Sequence, residues 1–212
     1  MRFEAVIFDM DGVLIDSEME YIRLWKKLYH LKQIPMEEKD LYFLAGSAHH
    51  VEIDLFAEKM GISAKEAEKI RTAFFKRHPV DYKKIKKYYV DEILASFSRA
   101  GMKIALASSS TFANIDTVLK QCGIDTYFCP IISGEMFEKT KPDPEIYLET
   151  IRRLDLEKEK IAVIEDSSYG IAAAKAAGLY TIAIEDPILH FDNSNADAVA
   201  KDLFEAERMI IC

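Results

Sequence analysis

A doubly wound α/β core, built on a Rossmann-like parallel sheet and interrupted by an inserted α-helical unit, is the fold that these 212 residues predict. Three observations carry the prediction. From residue 90 onward, helical patterns alternate with short apolar runs, the rhythm of βα units. The runs are continuously apolar rather than alternating, which suits parallel strands covered on both faces. The interval from Asp9 to Lys103, by contrast, far exceeds the roughly one dozen residues a crossover needs. It holds helical patterns and almost no strand signal.

In chain order, Ala5-Val6-Ile7-Phe8 is a β-branched and aromatic run ending at Asp9, and reads as a buried first strand. Helical patterns follow over 17–30, 35–45, 48–60 and 64–77. Ser63 with Glu66 three residues later is a capping box that starts the last of these. Residues 90–100, 111–122 and 168–177 read as helices closed by Gly101, Gly123 and Gly178, where a left-handed residue ends a helix. Asp143-Pro144 opens another helix, an N-cap followed by Pro in the first turn. The remaining strands fall at 103–107, 130–132, 161–164 and 180–184. The α/β core is therefore assigned to 1–16 and 84–212 and the helical insert to 17–83. Hinges are expected near Asp16–Ser17 and over 82–87.

Half the residues are hydrophobic and 30% are charged, a composition that excludes a disordered chain. A net charge of -8 argues against nucleic acid held by gross charge. No apolar run reaches the roughly 18–20 residues needed to span a bilayer. The N-terminus lacks the apolar stretch of a signal peptide, so no membrane association and a cytoplasmic location are expected. Cys122, Cys129 and Cys212 form neither a CxxC nor an even framework, and read as ordinary thiols. The charge is unevenly spread. Residues 17–87 carry 15 Lys and Arg against 11 Asp and Glu, an excess of +4, and the remainder carries -12. The insert is accordingly expected to be basic; the alternative is that the lysine-rich 83–87 segment, as a solvated linker, supplies the excess.

Ligands of open α/β sheets bind outside the carboxyl ends of the strands. Predicted strands end there in Asp9 with Asp11, in Ser108, and in Glu165-Asp166, and Lys141 lies in the loop after the 130–132 strand. Four carboxylates converging on one edge repel unless a cation sits among them. Oxygen donors of this kind suit Mg²⁺, which completes its shell with waters and a substrate phosphate. Asp9 and Asp11 start on one side of an extended chain, and Gly12 lets the backbone turn after them. One carboxylate can attack phosphorus while the other moves a proton.

The segment Phe8-Asp9-Met10-Asp11-Gly12-Val13-Leu14-Ile15-Asp16-Ser17 resembles the first motif of the haloacid dehalogenase-like hydrolase superfamily. Ser108 after its strand, Lys141 in Lys141-Pro142-Asp143-Pro144, and Glu165-Asp166-Ser167 with Gly170 resemble the second, third and fourth. The helical insert just after the first motif is similar to the cap of the β-phosphoglucomutase-like subfamily. The resemblance implies that Asp9 is the nucleophile that becomes an aspartyl-phosphate, and Asp11 the general acid and base. It implies that Ser108 binds a phosphoryl oxygen and Lys141 offsets charge. Asp9, the Asp11 carbonyl and Asp166 would ligate Mg²⁺, with Glu165 acting through a water, and Asp16 would close the loop structurally.

Asp11 argues against dehalogenation, whose enzymes in this superfamily lack it, and no cap lysine suited to phosphonate cleavage can be placed. The resembling mutases carry a His where this chain has Tyr21, and a phosphate-gripping Arg where it has His49. Both departures favour a phosphomonoesterase for a small phosphorylated metabolite, with a sugar phosphate the expected class, over a sugar phosphomutase. A non-catalytic phosphometabolite sensor is the third reading. Candidate substrate contacts are Ser109 beside Ser108, the loop residues Gly46, His49 and His50, and Tyr21 and Trp25 on the first insert helix. Arg77 and His78 are further possibilities. A monomer is expected.

Overall fold

The structure, a computed structural model, describes residues 2–45 and 49–211, with His49 by its backbone alone. Among these residues the sheet has six strands: β1 (Ala5–Phe8), β2 (Lys103–Ser108), β3 (Ile131–Ser133), β4 (Ile161–Glu165), β5 (Tyr180–Ile184) and β6 (Ala198–Ala200). Their order is β3-β2-β1-β4-β5-β6, and every neighbouring pair is parallel. Alternation sets the two faces. Ala5 and Ile7 share a buried cluster with Ile146, Tyr147, Val163 and Ala173, whereas Phe8 meets the edges of Phe97 and Phe128. All four β1 side chains are at most 1% exposed. Each large one is worth about 1.5–3 kcal/mol in burial, so the strand that delivers Asp9 is firmly held.

The flanking helices are α4 (Val90–Arg99), α5 (Phe112–Cys122), α6 (Glu145–Leu154), α7 (Ser168–Ala176) and α8 (Leu203–Ile211). Gly101, Gly123 and Gly178 take φ of +73°, +70° and +80° where helices end, as the sequence requires. Asp143 caps the Glu145 amide (3.1 Å), with Pro144 in first-turn geometry (φ −76°, ψ −5°). Strand β6 and helix α8 lie beyond the reach of the sequence reading. β6 is a three-residue edge strand with Val199 47% exposed, too short to leave a periodic signal.

The chain divides into two compact units, one of residues up to Asp16 and from Tyr82 onward, the other Ser17–Asp81. The second contains α1 (Ser17–Leu31), α2 (His49–Met60) and α3 (Ala64–Arg77). Its core is aromatic: Trp25 packs against Tyr29, Phe56 and Phe75 at centroid distances of 5.5–5.9 Å. The helix expected over 35–45 is instead a 3₁₀ turn, Glu38–Leu44. Its buried residues Leu41 and Leu44 are three apart, the 3₁₀ period.

The expectation of a basic insert is overturned, and its alternative holds. Ser17–Asp81 holds 11 Lys and Arg against 11 Asp and Glu, so the helical unit is neutral. The excess of +4 is Lys83, Lys84, Lys86 and Lys87, which belong to the α/β unit. Lys83 and Lys84 are exposed, yet the segment is tied into the α/β unit. The Asp16 amide donates to the Ile85 carbonyl (2.8 Å), the Lys87 amide to the Leu14 carbonyl (2.9 Å), and Ile15 bridges Lys86 in antiparallel fashion. Lys86 Nζ is held by Asp91 (2.6 Å) and the Cys122 carbonyl (3.0 Å). No helix of the described residues is long and apolar enough to cross a membrane.

Candidate active site

Strand ends assemble the site. The Asp9 amide donates to the Ile164 carbonyl (3.0 Å), which extends the β1–β4 ladder by one residue and fixes Asp9 at its tip. The chain then turns through Gly12 at φ +75°. A Cβ there would overlap the Asp166 carboxylate, so glycine is needed both for the turn and for the approach of Asp166. Asp166 follows β4 directly, and carboxylate oxygens of Asp9, Glu165 and Asp166 lie within 4.8 Å of one another, all buried.

Lys141 reaches this cluster from the loop after β3. Its ammonium donates to Asp9 Oδ1 (2.5 Å), Glu165 Oε1 (2.7 Å) and the Ala107 carbonyl (3.0 Å). Those three bonds use all three of its protons. Its side chain is 6% exposed, so the pair is desolvated and each member depends on the other.

Glu165, fully buried, accepts Lys141 and the Tyr147 hydroxyl (2.8 Å) on Oε1. Its Oε2 accepts the Asp166 and Ser167 amides and the Ser167 hydroxyl (3.0–3.2 Å). Gly170 leaves room for this carboxylate, because a Cβ there would overlap it. Burial alone would raise the Glu165 carboxyl, but the charge and hydrogen bond of Lys141, with Tyr147 and Ser167, hold it below its ordinary range. Asp9 has fewer donors. Burial pushes its carboxyl up to about 8, with Glu165 and Asp11 adding and Lys141 opposing. One ammonium does not balance this group of carboxylates, and a divalent cation on Asp9 and Asp166 would complete the balance. The all-oxygen donor set fits Mg²⁺.

Ser108, fully buried at the end of β2, accepts the Ser110 amide on its hydroxyl (3.1 Å). Ser109 is exposed, its backbone pressed against Gly134, where a Cβ would crowd it. The sequence-predicted residues of the α/β unit therefore gather at one sheet edge. Those of the helical unit divide. Trp25, 1% exposed, is a core residue and not an available contact, because its aromatic neighbours enclose it. Tyr21 is half-buried and stacked on Phe75 (6.2 Å). His50 is exposed in the first turn of α2. His78 closes α3, its ring on Phe74 and its Nδ1 at the Phe74 carbonyl (2.9 Å). Gly46 and the His49 side chain lie outside the described residues.

Two residues escaped the sequence reading. Ser110 donates its hydroxyl to Asp11 Oδ2 (3.1 Å), and the Ser108-Ser109-Ser110 run was the available signal. Tyr147 anchors Glu165 and lies 5.0 Å below the Lys141 ammonium, on a helix whose pattern shows only an aromatic core position. Tyr147→Phe is expected to lower stability by about 1.5–3 kcal/mol, the worth of a hydrogen bond to a charged group. The urea midpoint with an unchanged m-value checks it.

Residues 6–184 match the family model described as haloacid dehalogenase-like hydrolase. A phosphorylated carbohydrates phosphatase of Thermotoga maritima is 32% identical over 84% of this chain and 83% of its own length. The β-phosphoglucomutase of Bacillus subtilis is 29% identical over 85% and 83%. A crystal structure from Thermotoga maritima, provisionally assigned as a β-phosphoglucomutase, superposes with TM-score 0.81 at 28% identity, covering 98% of this chain and 97% of that one. With its matched motifs, its parallel sheet and the Asp9–Lys141–Glu165 cluster at the strand ends, the chain belongs to the haloacid dehalogenase-like hydrolases.

Proposed function

We propose that the protein is a Mg²⁺-dependent phosphomonoesterase that hydrolyses a small phosphorylated carbohydrate through an aspartyl-phosphate. The observation that carries this reading is the buried Asp9, bonded at 2.5 Å to a Lys141 that Glu165 holds in turn, with Asp11 two residues on. Two of its relatives, a phosphorylated carbohydrates phosphatase and a β-phosphoglucomutase, support a sugar phosphate as the substrate class. The absence of an Arg at position 49 and of a His at position 21 favours hydrolysis over transfer between sugar oxygens.

Asp9, the Asp11 carbonyl and Asp166 would hold the metal, and Glu165, its oxygens already engaged, positions Lys141. When bound, Mg²⁺ would supply positive charge against the phosphate and keep Asp9 ionised. A carboxylate oxygen of Asp9 forms a bond to phosphorus as the bond from phosphorus to the substrate oxygen breaks. Asp11 gives its proton to that departing oxygen. Lys141 and the Ser108 hydroxyl stabilise the charge on the phosphoryl oxygens. Asp11 then takes a proton from a water whose oxygen attacks phosphorus, and inorganic phosphate leaves with Asp9 restored.

The test is Mg²⁺-dependent phosphate release from p-nitrophenyl phosphate and a panel of hexose phosphates. Release is expected with Mg²⁺ and not with EDTA. No release above an Asp9→Asn control would overturn the enzyme reading. Conversion of a hexose 1-phosphate to its 6-phosphate with a trace of bisphosphate, and no free phosphate, would establish a mutase instead. Metal binding has its own readout. At about 100 times its Kd, Mg²⁺ is expected to add roughly 2.7 kcal/mol of stability, and Asp166→Asn to abolish that gain in thermal melts.

A further inference from the structure

The Asp11 carboxylate ends a chain of hydrogen bonds that runs through the α/β unit to the point where the polypeptide re-enters it. Tyr82 is the first residue of that unit after the helical insert. Its hydroxyl donates to Asn114 Oδ1 (2.9 Å), Asn114 Nδ2 donates to Ser110 Oγ (3.3 Å), and Ser110 Oγ donates to Asp11 Oδ2 (3.1 Å). Every donor points the same way. Ser110 accepts from Asn114 on a lone pair, which leaves its one hydroxyl proton for Asp11. The amide of Asn114 is oriented from both ends, oxygen to Tyr82 and nitrogen to Ser110.

Each link is itself fixed. The Ser110 amide donates to Ser108 Oγ (3.1 Å), and its carbonyl accepts Ser133 Oγ (2.7 Å). The Asn114 amide donates to Thr111 Oγ1 (3.3 Å) in the first turn of α5. Tyr82, 8% exposed, donates its amide to Gln121 Oε1 (3.2 Å), and its carbonyl accepts the Cys122 thiol (3.5 Å). A chain this well anchored has little freedom to let its terminal acceptor swing.

We infer that Tyr82, Asn114 and Ser110 are positioning residues that hold the Asp11 carboxyl group where, protonated on its other oxygen, it can protonate the leaving oxygen. This inference rests on the phosphomonoesterase reading above. Its consequence is selective. A substrate with a basic leaving oxygen, such as a sugar phosphate, needs that proton as its bond to phosphorus breaks. A nitrophenolate departs without it. The positioning chain therefore adapts the enzyme to alkyl and sugar phosphates and does little for activated aryl esters.

The experiment compares kcat/KM on a series of substituted phenyl phosphates, from p-nitrophenyl to unsubstituted phenyl, with saturating Mg²⁺. kcat/KM reports events through leaving-group departure. Ser110→Ala is expected to lose roughly 10–100-fold on phenyl phosphate, part of the range a general acid supplies, and less than about 3-fold on p-nitrophenyl phosphate. On the latter, kcat and KM should fall together as phosphorylated Asp9 accumulates, because the water step also uses Asp11. Asn114→Ala and Tyr82→Phe should steepen the leaving-group dependence in the same direction by progressively smaller factors, and Ser110→Thr should restore it. Tyr82→Phe removes a single oxygen and tests the chain should Ser110→Ala not fold. Equal losses on all esters, or none on any, would overturn the inference while leaving the phosphatase reading in place. A wild-type protein inactive on the whole series would overturn both.

Discussion

Asp9→Asn is expected to lower phosphate release by roughly 10⁴-fold or more, the scale on which loss of a nucleophile acts. The amide is nearly isosteric with the carboxylate, and Lys141 keeps Glu165 and the Ala107 carbonyl as acceptors. The fold should therefore survive, which circular dichroism checks beside the assay. The variant also has a distinctive pH response in metal-free buffer. The folded-state carboxyl of Asp9 titrates at about 8, above its ordinary 3.8, so the folded protein holds that proton more tightly than the unfolded chain. Stability linked to it is present at low pH and is lost as pH rises through about 8. The neutral Asn has no such proton to lose. Urea unfolding in EDTA at pH 6 and pH 9 should show a smaller loss of stability for Asp9→Asn than for the wild type. An equal loss in both would show that Asp9 is not the group responsible.

Lys141→Ala carries the second large effect, on stability and catalysis together. Removing one member of a buried ion pair leaves uncompensated charge and costs about 3–5 kcal/mol. Here the ammonium is the partner of the fully buried Glu165 carboxylate as well as of Asp9, so a loss within that range is expected. Activity should drop by roughly 10²–10³-fold, the scale of losing one preorganised electrostatic contact. Lys141→Arg should not restore it. A planar guanidinium cannot direct three protons to Asp9, Glu165 and the Ala107 carbonyl as an ammonium does. Urea titration and steady-state assays of both variants provide the check; an active, stable Arg variant would mean that charge alone suffices.

The sequence predicts the sheet well because its central strands are buried on both faces. Continuous runs such as Ala5–Phe8 and Ile161–Glu165 are legible for that reason. β6 is not, since an edge strand of three residues carries neither length nor periodicity. At the site, residues that end strands or follow them declare themselves by position, as Asp9, Ser108 and Glu165 do. Residues that act sideways on those groups do not. Tyr147 looks like any aromatic core residue until its hydroxyl is found on Glu165. Asn114 looks like a first-turn helix residue until its side chain is found between Ser110 and Tyr82. Charge misled for a simpler reason. The positive excess of 17–87 comes from four lysines that follow Asp81, where the structural boundary falls.

The short ribbon that pairs residues 14–16 with 85–87 has an architectural consequence. Backbone bonds from Asp16 to Ile85 and from Lys87 to Leu14 tie the outgoing and returning chains together inside the α/β unit. Whatever polypeptide lies beyond that knot is a closed loop, and the entropy of closing a loop grows only with the logarithm of its length. The inserted segment can therefore lengthen, shorten or be exchanged for an unrelated one at small cost to the unit that carries Asp9. Such an arrangement lets one chemical centre be joined to different inserted units by recombination at a single junction.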